Sequence, residues 1–237
     1  MANQQPNMQN IQELFELGAH LGHKKSRLHP KAKKSVYKII NGTSIIDLTK
    51  TVEQLDTAKK FLIQSAKDEK SILVVGTKKV ASAFLREYCT TNKLAYITSK
   101  WLPGLLTNFE TIMKNVHKLA DIKKREATGD WSTMVKHERN KLSKEMVKLE
   151  KLYGGLLNLP KRPDVIVIVD ARKEKNAVEE AKSYKIPIVA LIDTNSNPEQ
   201  ITYPVLANDD AAEVVKHIMT DLLSGYVKNK IEPKKDN

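Results

Sequence analysis

The densest group of side chains that could do chemistry is HKKSRLHPKAKKSVYK at positions 23–38, called the basic segment below. It contains seven lysines and arginines, two histidines and no carboxylate. Cations that neutralise phosphates release counterions, so a local cluster of one sign indicates contact with nucleic acid. The alternative is a solvated loop that only aids solubility. We predict RNA contact by the following residues of the segment: Lys24, Lys25, Arg27, His29, Lys31, Lys33 and Lys34.

A second cationic group is GTKK at 76–79, where an apolar strand turns into a helix. In open α/β sheets this is where helix N-termini meet anions. The chain has neither GxGxxG nor GxxxxGK[ST], so a mononucleotide site has little support. We predict that Lys78 and Lys79 contact RNA phosphates. The alternative is that Gly76 merely permits the turn.

The stretch KWLPGLLTNFETI at 100–112 combines a tryptophan with a Pro-Gly turn. Thr107 and Glu110 have the spacing of a capping box, which predicts that a helix begins there. Trp101 is either a core residue or, beside Lys100 and Asn108, part of an edge that stacks on a large ligand. The second interpretation adds Lys100, Trp101 and Asn108 to the predicted RNA-binding residues.

Carboxylates and histidines give weaker signals for catalysis or metal binding. Asp170 and Asp193 end two apolar strands, where α/β enzymes place catalytic carboxylates, although capping of the following turns is the stronger interpretation. A structural metal is left open, and its candidate ligands are His20, His23, Asp193 and Asp209. No cofactor is predicted.

The elements that must position these residues form an α/β pattern. The runs at 71–75, 164–170 and 186–193 are short, continuous and rich in Val and Ile, as in parallel strands covered on both faces, and 94–98 is a weaker fourth strand. Residues 36–48 predict a hairpin around Asn41-Gly42, followed by a helix at 51–67. The alternation predicts a doubly wound, mostly parallel, flavodoxin- or Rossmann-like sheet flanked by helices.

About 65 residues separate the fourth strand from the next, and apolar positions there recur at helical spacing. We therefore predict an antiparallel helical hairpin inserted in the α/β domain, with its tip near Gly129. The predicted division is a discontinuous α/β domain at 1–107 and 155–228, a hairpin at 108–154 and a disordered basic tail at 229–237. The hairpin's outer face is either simply solvated or an arm that contacts a neighbouring macromolecule.

Composition limits the class of protein. The 237 residues are 41% hydrophobic and carry a net charge of +12, which favours polyanionic partners. No apolar run is long enough to span a bilayer, and no secretory signal is visible. Cys89 is the single cysteine and suits a reducing compartment. We expect a protein of the cell interior that has no membrane partner. No small-molecule substrate is expected either, because the residue patterns described above give no positive sign of catalysis.

Six motifs in order between about Ile11 and Tyr226 resemble the bacterial-type small-subunit ribosomal protein S-two family. They are GAHLGH with the basic stretch after it, GTKK, WLPGLLTNF, PDVIVIVDARKEKNAVEEA, IPIVALIDTNSNP and YPVLANDDA. The chain departs from the usual bacterial pattern at Lys100, Pro103 and Leu105. Lys100 keeps the charge of the usual arginine but lacks its bidentate fork.

The resemblance implies a non-enzymatic constituent of the cytoplasmic small ribosomal subunit, with an organellar ribosome as the other location. It implies binding of 16S rRNA and a docking surface for S-one, the multi-OB-fold protein that brings mRNA to the subunit. The competing hypothesis is a doubly wound α/β enzyme that acts on a phosphorylated metabolite through Asp170 or Asp193.

Overall fold

The computed structural model describes residues 8–230. Helices in this range, numbered along the chain, are α1 (Met8–Glu16), α2 (Leu48–Lys67), α3 (Lys79–Thr91), α4 (Phe109–Ala127), α5 (Lys136–Tyr153), α6 (Lys175–Ser183) and α7 (Ala212–Asn229). The strands are β1 (Leu21–Lys24), β2 (Val36–Ile40), β3 (Thr43–Ile46), β4 (Ile72–Val75), β5 (Ala95–Ile97), β6 (Val165–Val169), β7 (Ile188–Ile192) and β8 (Tyr203–Leu206). No helix within 8–230 combines the length and apolarity needed to cross a bilayer.

Five strands form a parallel sheet in the order β5-β4-β6-β7-β8. Renumbered within the sheet this is 2-1-3-4-5, the flavodoxin-like order, whose switch point lies between β4 and β6. The predicted α/β class with a mostly parallel sheet is confirmed. Each of the four segments predicted to be a strand of this sheet contains a strand in the structure. The fifth, β8, was not predicted. It is four residues long, lies at the sheet edge and contains Pro204, which a central strand would not tolerate.

The sheet is buried on both faces, which explains its continuous apolar strands. Along β4, Ile72 and Val74 belong to one apolar cluster, while Leu73 and Val75 belong to a second cluster on the other face. The first cluster includes the apolar faces of α2 and α7, and the second includes α6 and the loop around Trp101. Successive side chains of a strand point to opposite faces, so a strand covered by helices on both sides must be apolar throughout.

A smaller antiparallel sheet, in the order β1-β3-β2, holds the ends of the basic segment. Asn41 and Gly42 have positive φ values of 49° and 76°, as a two-residue hairpin turn requires, so the predicted hairpin is confirmed. Strand β1 was not predicted. Gly22 allows it to approach the loop after β7, because a Cβ atom there would lie 2.7 Å from Thr194 Cγ2.

The basic segment is folded onto this framework as two short 3₁₀ helices, Lys25–Arg27 and Pro30–Ser35. The His29 side chain caps the second by accepting from the Lys31 N–H at 3.2 Å. The His29 N–H donates to the Thr194 carbonyl at 2.8 Å. The segment therefore follows a defined path beside the carboxyl ends of the parallel strands, where the sequence suggested a flexible loop.

Residues 109–153 contain α4 and α5, joined through Gly129 at φ 80° and a 3₁₀ turn at Asp130–Thr133. Ion pairs join Lys118 with Glu145 and Lys123 with Glu150. The predicted Thr107 capping box is wrong, because Asn108 is the N-cap residue of α4 and its side chain makes no capping hydrogen bond. At the other end of the chain, α7 extends through Asn229, and positions 231–237 of the predicted tail lie outside the described residues.

Candidate nucleic-acid interface

Lys78 lies inside a group of acids at the carboxyl edge of the parallel sheet, called the strand-end cluster. Its Nζ atom is 2.6 Å from Asp209 Oδ1, 2.7 Å from Asp210 Oδ1 and 3.5 Å from Asp170 Oδ2. The Lys78 side chain is 16% exposed, and that of Asp209 is fully buried. The ammonium of Lys78 is thus surrounded by the protein's own carboxylates.

Burial and neighbouring charges shift the pKa values of this cluster. Burial and the charge of Asp170 raise the pKa of Asp209 to about 7, although Lys78 opposes the shift. Within residues 8–230, Asp209 Oδ2 has no hydrogen-bond partner. Burial lowers the pKa of Lys78, but hydrogen bonds to Asp209 and Asp210 outweigh burial and raise it overall. Lys78 therefore stays charged and neutralises internal acids, which argues against the predicted phosphate contact.

The turn after β4 is also filled by protein groups. A Cβ atom on Gly76 would lie 2.3 Å from Leu85 Cδ1, so glycine is needed where α3 packs on the turn. The buried Glu174 carboxylate accepts from the Thr77 N–H at 3.3 Å, and Lys173 Nζ donates to the Thr77 carbonyl at 2.9 Å. Burial raises the pKa of Glu174 despite the hydrogen bonds from Thr77. A carboxylate thus occupies the place where a mononucleotide-binding fold would hold phosphate.

Asp170 and Asp193 both serve the turns that follow their strands. Asp170, at φ 64°, accepts from the Lys173 N–H at 3.0 Å. Asp193 Oδ1 accepts from the hydroxyl of Thr194 at 2.9 Å and from its N–H. These contacts favour the capping interpretation over the catalytic one.

His23 joins two carboxylates in a group that could hold a metal ion. One ligand atom each from His23, Asp193 and Asp210 lie within 4.8 Å of one another, a donor set that Zn²⁺ accepts. His23 Nδ1 is 2.8 Å from Asp193 Oδ2, and the Asn195 amide is 3.1 Å from Nε2, which fits the tautomer with the proton on Nδ1.

Of the four predicted metal ligands, the structure brings only His23 and Asp193 together in this group, with Asp210 as the third member. Asp209 pairs with Lys78 instead. The His20 ring stacks on Phe15 at a centroid distance of 4.2 Å, and burial lowers its pKa. The sequence prediction named Asp209, whereas its neighbour Asp210 is the residue that lies beside His23.

Trp101 is a core residue. It is 5% exposed, and its Nε1–H donates to Glu180 Oε1 at 3.0 Å. The same carboxylate accepts the backbone N–H groups of Gly104 and Leu106, both at 2.9 Å. Glu180 thereby fixes the loop before α4, and the ring of Trp101 offers no face to an RNA base. Sequence reasoning missed Glu180 because its partners lie more than 70 positions away.

The remaining predicted cations lie at the surface. Lys24, Lys25, Arg27, Lys33 and Lys34 are exposed, and none of their side chains forms an ion pair with another residue of the described range. Lys31 is also exposed but pairs with Glu199 at 2.9 Å, and His29 is half-buried. Lys79, Lys100 and Asn108 are exposed as well. The basic segment thus carries five exposed cations that form no ion pair with a described residue.

Comparison with known proteins identifies relatives along nearly the whole chain. A sequence model of the family described as Ribosomal protein S2 matches residues 14–228. The chain is 41% identical to the small ribosomal subunit protein uS2 of Dehalococcoides mccartyi strain CBDB1, over 92% of this chain and 89% of that protein. The corresponding protein of D. mccartyi strain 195 is 40% identical over the same shares. The names of these relatives denote a ribosomal constituent and no enzyme, and the chain belongs to the Ribosomal protein S2 family.

Proposed function

We propose that this chain is a structural constituent of the small ribosomal subunit and binds 16S rRNA through the basic segment. The family match over residues 14–228 carries the proposal. The exposed, unpaired cations of the segment support RNA as the ligand, because their charge is not neutralised within residues 8–230. The proposed location is the cytoplasmic ribosome.

The proposed RNA surface is narrower than the set predicted from the sequence. It keeps the exposed cations and the polar residues beside them: Lys24, Lys25, Arg27, His29, Lys31, Lys33, Lys34, Lys79, Lys100 and Asn108. It omits Lys78 and Trp101, because one is enclosed by acids and the other lies in the core. Lys31 contributes less than its neighbours, since it first has to leave Glu199.

We further infer that positions 108–154 form an antiparallel hairpin inserted between the two parts of an α/β domain, 1–107 and 155–228, with the start of α4 packed on the sheet. The ion pairs between α4 and α5 support this division. In this proposal the hairpin is an arm that contacts a neighbouring macromolecule, and the protein also helps to dock S-one, as the family resemblance implies. Replacing only the distal part of the hairpin, residues 120–146, by a short turn keeps the α4 residues that pack on the sheet, and it should then preserve RNA binding and abolish a protein contact.

The test of RNA binding replaces Lys24, Lys25, Lys33 and Lys34 together by glutamine. Binding of the free chain to 16S rRNA is measured over a range of salt concentrations, and each lost phosphate contact lowers the slope of log affinity against log salt by about one unit. We expect a loss of about three to four units, weaker co-sedimentation with small subunits, and an unchanged thermal unfolding midpoint.

The matched control removes four exposed cations remote from the segment: Lys60, Lys67, Lys93 and Lys182. The last three lie near the C-terminal ends of α2, α3 and α6, at the opposite edge of the sheet. An equal loss of slope in this control would show that binding depends on net charge rather than on the basic segment. Wild-type chain that migrates free of subunits at low salt would contradict the proposed function itself.

A further inference from the structure

A second feature of the carboxyl edge is a cavity of about 480 Å³ between the basic segment and the loops that follow β6 and β7, called the basic pocket. Arg27 and Pro30 line it from the segment, Arg172 and Lys175 from the β6 side, and Asn197 and Gln200 from the β7 side. Its volume falls in the range of roughly 300–1,000 Å³ found for small-ligand sites. One nucleotide fits a space of this size.

The charge of the basic pocket has one sign. Three cations line it and its lining contains no carboxylate. Arg27 and Arg172 are exposed and form no ion pair within 4 Å of any residue between 8 and 230. The hydrogen bond from Lys78 and, more weakly, the charge of Arg27 lower the pKa of the nearby Asp210. Lys175 pairs at 3.5 Å with the exposed Glu179. Two guanidinium groups that line one cavity without a close ion pair suit a phosphate, which arginine binds with paired hydrogen bonds.

Polar donors and a small apolar surface complete the pocket. Asn197 Oδ1 accepts the Glu199 N–H at 3.1 Å, which orients the amide and leaves its NH₂ group for a ligand. Gln200 is exposed beside it, and its amide makes no hydrogen bond within the described chain. Asparagine and glutamine amides recognise the edges of bases, and Leu28 and Pro30 offer an apolar surface to the face of a base.

These features favour an unpaired nucleotide of a polymer over a free nucleotide. Free nucleotides are usually held by a glycine-rich loop at a helix N-terminus, and at the equivalent turn of this fold Glu174 occupies that position. Exposed cations of the basic segment, including Lys25 and Lys33, continue from the pocket and could hold the adjoining phosphates. A duplex would present only its backbone, whereas unpaired RNA bases can turn outward into a pocket.

We propose that the basic pocket binds one unpaired nucleotide of RNA, with Arg27 and Arg172 on its phosphate and Asn197 and Gln200 on the edge of its base. The inference rests on the proposed function and adds to it a recognition site. It also adds Arg172, Asn197 and Gln200, which the sequence had not singled out, to the RNA-binding residues.

The first experiment measures binding of the full-length chain to a short fluorescein-labelled single-stranded RNA of mixed sequence, and to the same strand annealed to its complement. Arg27→Gln/Arg172→Gln should weaken single-strand binding about tenfold or more and duplex binding much less. Gln200→Ala should weaken single-strand binding by a smaller factor. Arg86→Gln/Arg139→Gln, which removes two exposed arginines of α3 and α5, serves as the charge-matched control.

Three results would overturn the proposal. If the double variant lost the same factor of affinity for single-stranded and duplex RNA, the two arginines would contribute only general attraction to phosphates. A 5′-mononucleotide that competes as strongly as the RNA strand would make it a site for free nucleotides. Unchanged single-strand binding in the double variant would leave no role for the pocket.

The second experiment separates the pocket from the proposed function. Small subunits containing wild-type chain or the double variant are probed by 2′-hydroxyl acylation at each nucleotide. We expect one or two unpaired nucleotides that the wild type protects to become several-fold more reactive in the variant. Unchanged reactivity at normal occupancy would refute the pocket and leave the ribosomal role intact. If the arginines proved selective for single-stranded RNA but the wild-type chain were absent from small subunits, the ribosomal role would be refuted and the pocket would not.

Discussion

The strand-end cluster and the basic pocket lie at the same edge of the parallel sheet but differ in how their cations are paired. Carboxylates surround the lysine of the cluster, whereas none lines the pocket. In the cluster, one lysine is surrounded by Asp170, Asp209 and Asp210. In the pocket, two arginines and a lysine face a cavity whose lining holds no carboxylate. A cation neutralised within the fold contributes to stability, whereas a cation without an internal partner is available to a ligand. The net charge of +12 cannot distinguish these two roles.

Of the proposed variants, Lys78→Ala should have the largest effect on stability. It tests most directly whether the lysine of the strand-end cluster stabilises the fold rather than binding RNA. It leaves the buried Asp209 without its counter-ion, and breaking a buried pair from one side costs up to about 3–5 kcal/mol when the remaining group stays charged. Because the pKa of Asp209 is already about 7, the loss is largest above neutral pH and smaller where Asp209 takes up a proton. We expect this loss in the free energy of unfolding measured with urea, and an unchanged salt slope for RNA binding in the folded variant.

Lys79→Ala is the matched change at the adjacent residue. Lys79 is exposed at the start of α3, so its removal should alter the free energy of unfolding by no more than about 0.5 kcal/mol. The salt slope should instead fall by about one unit. Equal changes in the free energy of unfolding and in the salt slope for Lys78→Ala and Lys79→Ala would contradict the distinction between the two lysines.

Glu180→Ala tests a second charged group whose contacts lie inside the fold, in this case a carboxylate held by N–H donors. The change leaves the Trp101 indole N–H and the Gly104 and Leu106 N–H groups without their acceptor. Each unsatisfied buried donor costs about 1–3 kcal/mol. Because water can reach some of these donors, we expect Glu180→Ala to lower the free energy of unfolding in urea by about 3 kcal/mol in total. Glu179→Ala, at the exposed neighbouring position, should cost less than about 0.5 kcal/mol. Equal losses would mean that the hydrogen bonds of Glu180 contribute little.

Glu174→Gln should change the pH dependence of stability. Because burial raises the pKa of Glu174 above its ordinary 4.5, the folded state retains this proton at pH values where the unfolded chain has lost it. The stability of the wild type therefore falls as pH rises from about 4.5 through the folded pKa, and glutamine removes this contribution.

The measurement compares thermal unfolding midpoints at about pH 4 and about pH 7. The difference, variant minus wild type, should become more positive at the higher pH, because only the wild type then has to bury a charged carboxylate. Glu179→Gln is the exposed control and should show no such trend. A difference that is constant with pH would show that Glu174 does not titrate abnormally in the folded protein.

Patterns local in sequence predicted the parts of the fold that depend on local physics. The strands at 71–75, 164–170 and 186–193 and the Asn41-Gly42 turn follow from apolar runs and turn chemistry, and the structure contains all of them. Strand β1 was missed because its partner in the sheet, β3, lies about 20 positions away and its own sequence is short and polar.

The candidate site was less predictable because its chemistry depends on contacts between distant residues. Lys78 and Lys79 are indistinguishable by sequence, yet one meets Asp209, 131 positions away, and the other remains in solvent. Trp101 and Glu180 are likewise joined only by the tertiary fold. The positive charge of the basic segment was visible at once, whereas the pocket it forms with Arg172 and Asn197 requires three separate regions to meet.

The close approach of Gly22 to Thr194 has a consequence for the thermodynamics of association. It positions β1, and with the His29 hydrogen bond to the Thr194 carbonyl it holds the basic segment at several points before any RNA is present. A segment that is ordered in advance loses less conformational entropy on binding than a disordered tail of the same charge. If the basic segment binds RNA as proposed, enlarging Gly22 should weaken that affinity mainly through the entropy of binding, while every cation remains in the chain.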